Sequence, residues 1–212
     1  MMSTKNAFMK LAREIAAGDS ESALLVIDAA PALVVAKLVV GATRKNAREY
    51  FLDDIGHYVY AGDTALHVAA AGYRERVVRE LIARGAVLNA ANRRGAQALH
   101  YAADGAPGST NWSPAAQAAV IGLLVDAGAD PNALDRDGIA PIHRAVRTRC
   151  AAAVAALINA GADPDLRSGR GSTPIQLAST MTGRGGSGSA LAKAEQALIL
   201  ELLESPKASR QR

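Results

Sequence analysis

A glycine, then four residues, then a histidine or glutamine recurs along the chain at Gly62–His67, Gly95–His100, Gly138–His143 and Gly171–Gln176, with steps of 33, 43 and 33 residues. Self-similarity at such a period restricts the fold more than any other feature of the sequence. Each unit is too small to bury its own apolar face, so the units must stack and each must cover the next. A stack of this kind presents a long surface suited to binding, and the pattern points away from an enclosed catalytic pocket.

The copies agree in detail. They read Gly62-Asp63-Thr64-Ala65-Leu66-His67-Val68-Ala69-Ala70, Gly95-Ala96-Gln97-Ala98-Leu99-His100-Tyr101-Ala102-Ala103, Gly138-Ile139-Ala140-Pro141-Ile142-His143-Arg144-Ala145-Val146 and Gly171-Ser172-Thr173-Pro174-Ile175-Gln176-Leu177-Ala178-Ser179. Three copies close with a second motif: Gly85-Ala86-Val87-Leu88-Asn89, Gly128-Ala129-Asp130-Pro131-Asn132 and Gly161-Ala162-Asp163-Pro164-Asp165. The paired motifs resemble the ankyrin repeat, whose signature is G-x-T-P-L-H-x-A-A and whose period is 33 residues. The resemblance covers residues 62–204. It implies an all-α solenoid of helix–turn–helix repeats with short turn or hairpin connections. The repeats would fall at about 61–92, 93–135, 136–168 and 169–205, after a degenerate capping segment (1–60) and before a basic tail (206–212).

Within each repeat, the inner helix is expected to start at the threonine of the signature or its substitute. Thr64 and Thr173 can cap it through their hydroxyls, and Pro141 and Pro174 fit the first turn. Outer helices are marked by apolar pairs four residues apart: Val77-Val78 with Leu81-Ile82, Val120-Ile121 with Leu124-Val125, Ala153-Val154 with Leu157-Ile158, and Leu198-Ile199 with Leu202-Leu203. This spacing makes one stripe on a helix. The longer second period comes from residues 104–113, placed between the inner and outer helices, and residues 181–189 form a similar glycine-rich insertion. In the N-terminal segment, Phe8–Ala17 and Ser22–Val26 read as a worn helix pair capped by Asp19 or Ser20, and Arg44–Ile55 reads as a further helix. Ala190–Glu204 should seal the other end of the stack.

Composition fits a soluble chain of 212 residues: 50% apolar, 21% charged, net charge +4. The single cysteine, Cys150, excludes an internal disulfide and suits a reducing compartment, read as cytoplasmic. The opening residues lack the apolar region of a signal peptide. Ala23–Val40 is apolar, but Asp28, Pro31 and Lys37 interrupt it, so it reads as two buried helices and not as a membrane span.

Chemistry-bearing residues are few. His67, His100 and His143 suggest a metal, but equivalent positions on packed helices lie roughly 8–10 Å apart, too far to converge on one zinc ion. The family resemblance instead implies that this histidine orders the turns by hydrogen bonding to neighbouring repeats, a role Gln176 can share. Cys150 follows Arg147-Thr148-Arg149 but has no base nearby in sequence, and it reads as an incidental thiol. Gly183 and Gly188 share the spacing of a phosphate-binding loop and precede a helix. Ser189 stands where the lysine belongs, however, and no strand comes before. Gly185, Gly186, Gly188 and Ser189 are the alternative anion-binding reading. No paired carboxylates, metal spacing or catalytic triad supports an enzyme, and no cofactor is implied.

The arginines stand out, at 18 against 6 lysines. The resemblance implies a groove lined by the turn tips and the exposed start of each inner helix. Residue by residue this gives Arg93, Arg94, Arg136, Arg147 and Arg170, with Tyr101 and Trp112 completing the expected partner-binding set. Trp112 reads either as an exposed anchor or as a staple for its own loop. Arginine forks suit carboxylates and phosphates alike. An acidic protein segment is the first reading. Nucleic acid or polyphosphate is the second, disfavoured by the modest charge and by the few aromatics available for stacking.

Overall fold

The structure, a computed structural model, describes residues 4–110, 112–180 and 189–204. Its helices are α1 (Thr4–Ala17), α2 (Ser20–Ala29), α3 (Ala65–Ala71), α4 (Glu75–Ala83), α5 (Ala98–Ala103), α6 (Pro114–Asp126), α7 (Pro141–Thr148), α8 (Ala151–Asn159), α9 (Pro174–Ser179) and α10 (Ala190–Glu204). Consecutive helices pair as α1/α2, α3/α4, α5/α6, α7/α8 and α9/α10. The odd-numbered helices pack in one row and the even-numbered in another, each against its neighbours in the row. Two rows built this way make the all-α solenoid that the period demands, with one continuous core along it.

The outer-helix stripes carry that core. Val77, Val78 and Leu81, then Val120, Ile121 and Leu124, then Ala153, Val154 and Leu157 are all buried. In α10 the stripe splits. Ile199 is buried, but Leu198 is 48% exposed, because no further described helix covers its side. The helix still closes the stack by packing on α8 and α9.

Both threonine caps form reciprocal boxes. Thr173 Oγ1 accepts from the Gln176 N–H while Gln176 Oε1 accepts from the Thr173 N–H. Thr64 pairs likewise with His67, so histidine fills the place usually held by glutamate or glutamine. The turn tips are zipped to one another by backbone hydrogen bonds, Arg93 N–H to Ala61 O, Arg136 N–H to Arg94 O and Gly169 N–H to Gly138 O. The close approach explains the repeat glycine. Gly95 adopts φ +79°, and a β-carbon there would lie 2.7 Å from the Arg136 nitrogen.

The N-terminal segment departs from expectation after its first pair. Asp19 caps α2 by accepting from the Ser22 N–H at 2.9 Å, as the sequence implied. Arg44–Ile55, however, is not a helix. It forms 3-10 turns at Ala47–Tyr50 and Asp53–Ile55 around strand β1 (Phe51–Leu52), which pairs antiparallel with β2 (His57–Tyr58). The cause is a two-residue periodicity: Tyr50 and Leu52 are buried while Phe51 between them is not. Nor does Ala23–Val40 hold two buried helices. After α2 comes only a 3-10 turn at Pro31–Val34, and Val39 is 88% exposed. Pro31 ends the helical run because it offers no N–H to continue it. Among the described residues no helix is long and apolar enough to cross a membrane. The basic tail at 206–212 lies outside the described residues.

Leu99, on α5, is 1% exposed and sits in the middle of the stack. Leu99→Ala is expected to cost about 2–5 kcal/mol in denaturant unfolding. A loss below about half a kcal/mol would remove Leu99 from the core.

Candidate interaction groove

The inner helices begin at tips that the sequence builds with one short polar side chain each. Asn92 Oδ1 accepts from the Arg94 and Ala96 N–H groups, and Asp135 Oδ1 accepts from those of Asp137 and Ile139. Ser168 Oγ accepts from the Ser172 N–H. These side chains satisfy the turn backbone and hold the following arginines or aspartates at the rim.

Behind the tips lie the three repeat histidines, all buried. Each Nδ1 accepts the backbone N–H three residues earlier: Thr64 to His67 (3.2 Å), Gln97 to His100 (3.2 Å) and Ala140 to His143 (3.0 Å). The Nε2 of the first two donates to the next repeat, His67 to Ala96 O (3.1 Å) and His100 to Ile139 O (3.0 Å), while that of His143 donates to Leu166 O (3.0 Å) at the end of its own repeat. The network assigns the neutral Nε2–H tautomer throughout. Both nitrogens of each ring are therefore committed to the backbone. Among the described residues, no cluster of three or more His, Cys, Asp or Glu is placed to hold a metal ion.

Two residues absent from the sequence reading dominate the groove floor. Arg144, from α7, bridges Asp104 (2.8 Å) and Asp135 (3.0 Å), and its side chain is only 16% exposed. It locks the second repeat to the tip of the third. His57, at the end of the β1–β2 turn, packs edge-on against Tyr101 with centroids 4.5 Å apart, and its buried Nε2 has no hydrogen-bond partner among the described residues. Arg144 was detectable as a charge on the inner helix at the position after the repeat histidine. Nothing in the sequence placed His57, since its segment falls outside the repeats.

The predicted residues divide. Arg94, Arg147 and Arg170 line concavities on this face. Arg94 and Arg147 border a central one of about 380 Å³ with His57, Tyr60, Arg144 and Asp137, and Arg147 and Arg170 border a second beside it. Arg93 is drawn away from them. Its guanidinium donates to Ala42 O at 2.7 Å and lies over the Tyr60 ring, tying the tip to the N-terminal segment. Arg136 is exposed at the third tip but borders neither concavity.

Tyr101 is a core residue and not part of the exposed rim, at 3% exposure. Its hydroxyl donates to Asp63 Oδ2 and accepts from Asn92 Nδ2, and burial pushes its pKa up. Trp112 turns back on its own loop. Its Nε1 donates to Gln117 Oε1 (2.9 Å), and the buried Gln117 in turn donates to the carbonyls of Ala102 and Asp104. This is the staple reading of Trp112, fixed by the need to satisfy an indole N–H beside the core. The Cys150 thiol is buried, and burial pushes its pKa up to about 12, so the thiol form prevails. Gly185, Gly186 and Gly188 lie outside the described residues. Ser189 caps α10, its Oγ accepting from the Ala192 N–H.

Comparison with known families agrees with this geometry. The family model described as "Ankyrin repeat" matches residues 61–93, and that described as "Ankyrin repeats (many copies)" matches residues 124–178. No curated protein matches the chain.

Burial lowers the pKa of all four histidines, to about 4 for His57 and His100. The unfolded chain binds these protons near pH 6.5, so between about 6.5 and 4 it holds more protons than the native state. Stability should therefore be constant above that window and fall as pH drops through it, by on the order of 3 kcal/mol for His100 alone at the limit. Urea unfolding at pH 7.5, 6 and 5 checks this. Equal midpoints at the three values would contradict it.

Proposed function

The chain belongs to the ankyrin-repeat family, and on that premise we propose that it is a non-catalytic interaction module whose concave groove receives an acidic segment of a partner protein. Ankyrin repeats generally mediate protein–protein interaction. The observation that carries the finer reading is the convergence of Arg94, Arg147 and Arg170 on two adjoining concavities along one face. All three residues are exposed. Their planar forks match carboxylates in pairs of hydrogen bonds.

Nucleic acid is the weaker reading on the same surface. The ring of Tyr101 is spent inside the core and Trp112 is turned into its own loop, which leaves Tyr60, already beneath Arg93 and Arg94, as the aromatic near the rim. Base stacking has little to work with here.

Replacing Arg94, Arg147 and Arg170 together by alanine should abolish capture of a salt-eluted partner from the native cell extract. The melting temperature should stay within about 2 °C, because the three residues are exposed. Equal recovery by wild type and variant would reject the groove. Retention of DNA or RNA, with affinity falling steeply as salt rises, would replace the protein partner by nucleic acid.

A further inference from the structure

The two concavities differ in charge. In the central one, Arg94, Arg144 and Arg147 face Asp104, Asp135 and Asp137, so the signs balance. The second, of about 470 Å³, lies at the junction of the third and fourth repeats. Its cationic lining is Arg147, Arg149 and Arg170, and Asp137 is its sole acid among the described residues. An anion gains there what it does not gain in the centre.

Arg149 is delivered to this place by its backbone. It follows α7 in the left-handed region, at φ 59°. Tyr73 holds the equivalent position after α3, at φ 54°, and its hydroxyl crosses to donate to the Asp104 carbonyl in the next repeat. The left-handed residue thus turns its side chain toward the following repeat in both cases. Glycine takes this conformation without the steric cost that a β-carbon adds. The chain nevertheless places an arginine here, 3% exposed, against the fourth repeat. Ser168, Ser172 and Gln196 add hydrogen-bonding groups to the lining, and Leu177 and Ile199 add apolar surface.

We propose that this junction cavity is an anchoring pocket for a carboxylate side chain of the bound partner, held by Arg147, Arg149 and Arg170 with its methylene stem against Leu177 and Ile199. The inference rests on the acidic-partner reading above and names the place where that partner is gripped.

Fluorescence anisotropy of a labelled octaglutamate peptide at low salt tests it, with R94A as a groove variant outside the pocket and R149Q and R170A as pocket variants. R170A and R149Q should each weaken binding by about tenfold, and R94A by less. Should R149Q lower the melting temperature, R170A, at an exposed position, decides the matter. If R94A weakens the peptide while R170A and R149Q leave it unchanged, the pocket is wrong and the groove stands. If wild type and all three variants bind alike, or none binds, the groove reading falls as well. A labelled oligothymidine that binds more tightly than the peptide, and loses affinity with R170A, would overturn the carboxylate in favour of a phosphate.

Discussion

In each of the first two repeats one neutral imidazole does two jobs that cannot be separated, and in the third His143 caps its helix and braces the end of its own repeat. For His67 and His100, Nδ1 completes the cap of the residue's own inner helix and Nε2–H reaches the backbone of the next repeat. A proton added to Nδ1 would point at an N–H donor, so burial and geometry both oppose charging the ring. Cap and stack therefore stand on the same protonation state. In the last repeat, Gln176 keeps the cap through Oε1 and takes over the only half of the job that remains within its own unit.

The groove follows from this spacing. Linking the repeats at the histidine brings successive tips close enough to zip, and the zipped tips align their arginines on one face. Arg144 stiffens the middle of that face and consumes two acids in doing so. Arg147 then stands between a neutral concavity and a cationic one. The binding character of the surface thus depends on which charges the fold has already paired, and only secondarily on the net charge of the chain.

The helices of the repeats, the caps at Thr64 and Thr173, the outer stripes and the closing helix were legible because each follows from a period, a cap or a stripe. The N-terminal segment was legible only as far as α2. Beyond it, backbone hydrogen bonds from Leu38 to Asp63 and from Ala42 to Val59 hold the segment in place, and no local pattern announces that. Among the candidate site residues, position in the repeat identified Arg94, Arg147 and Arg170. It did not reveal that Tyr101 is spent on Asp63 and Asn92, or that Arg93 is tied to Ala42, since those partners lie 38, 9 and 51 residues away in sequence. Arg149 was missed because its role comes from a left-handed backbone angle, and arginine is not a residue from which such an angle is inferred.

The protonation of His100 carries the account, and nitrogen-15 NMR of its ring reads it directly. The shifts should show a neutral ring with the proton on Nε2 at pH 7, and no charging until pH approaches about 4. A proton on Nδ1, or a midpoint near the ordinary histidine value of about 6.5, would contradict the coupling of cap to stack on which the groove depends.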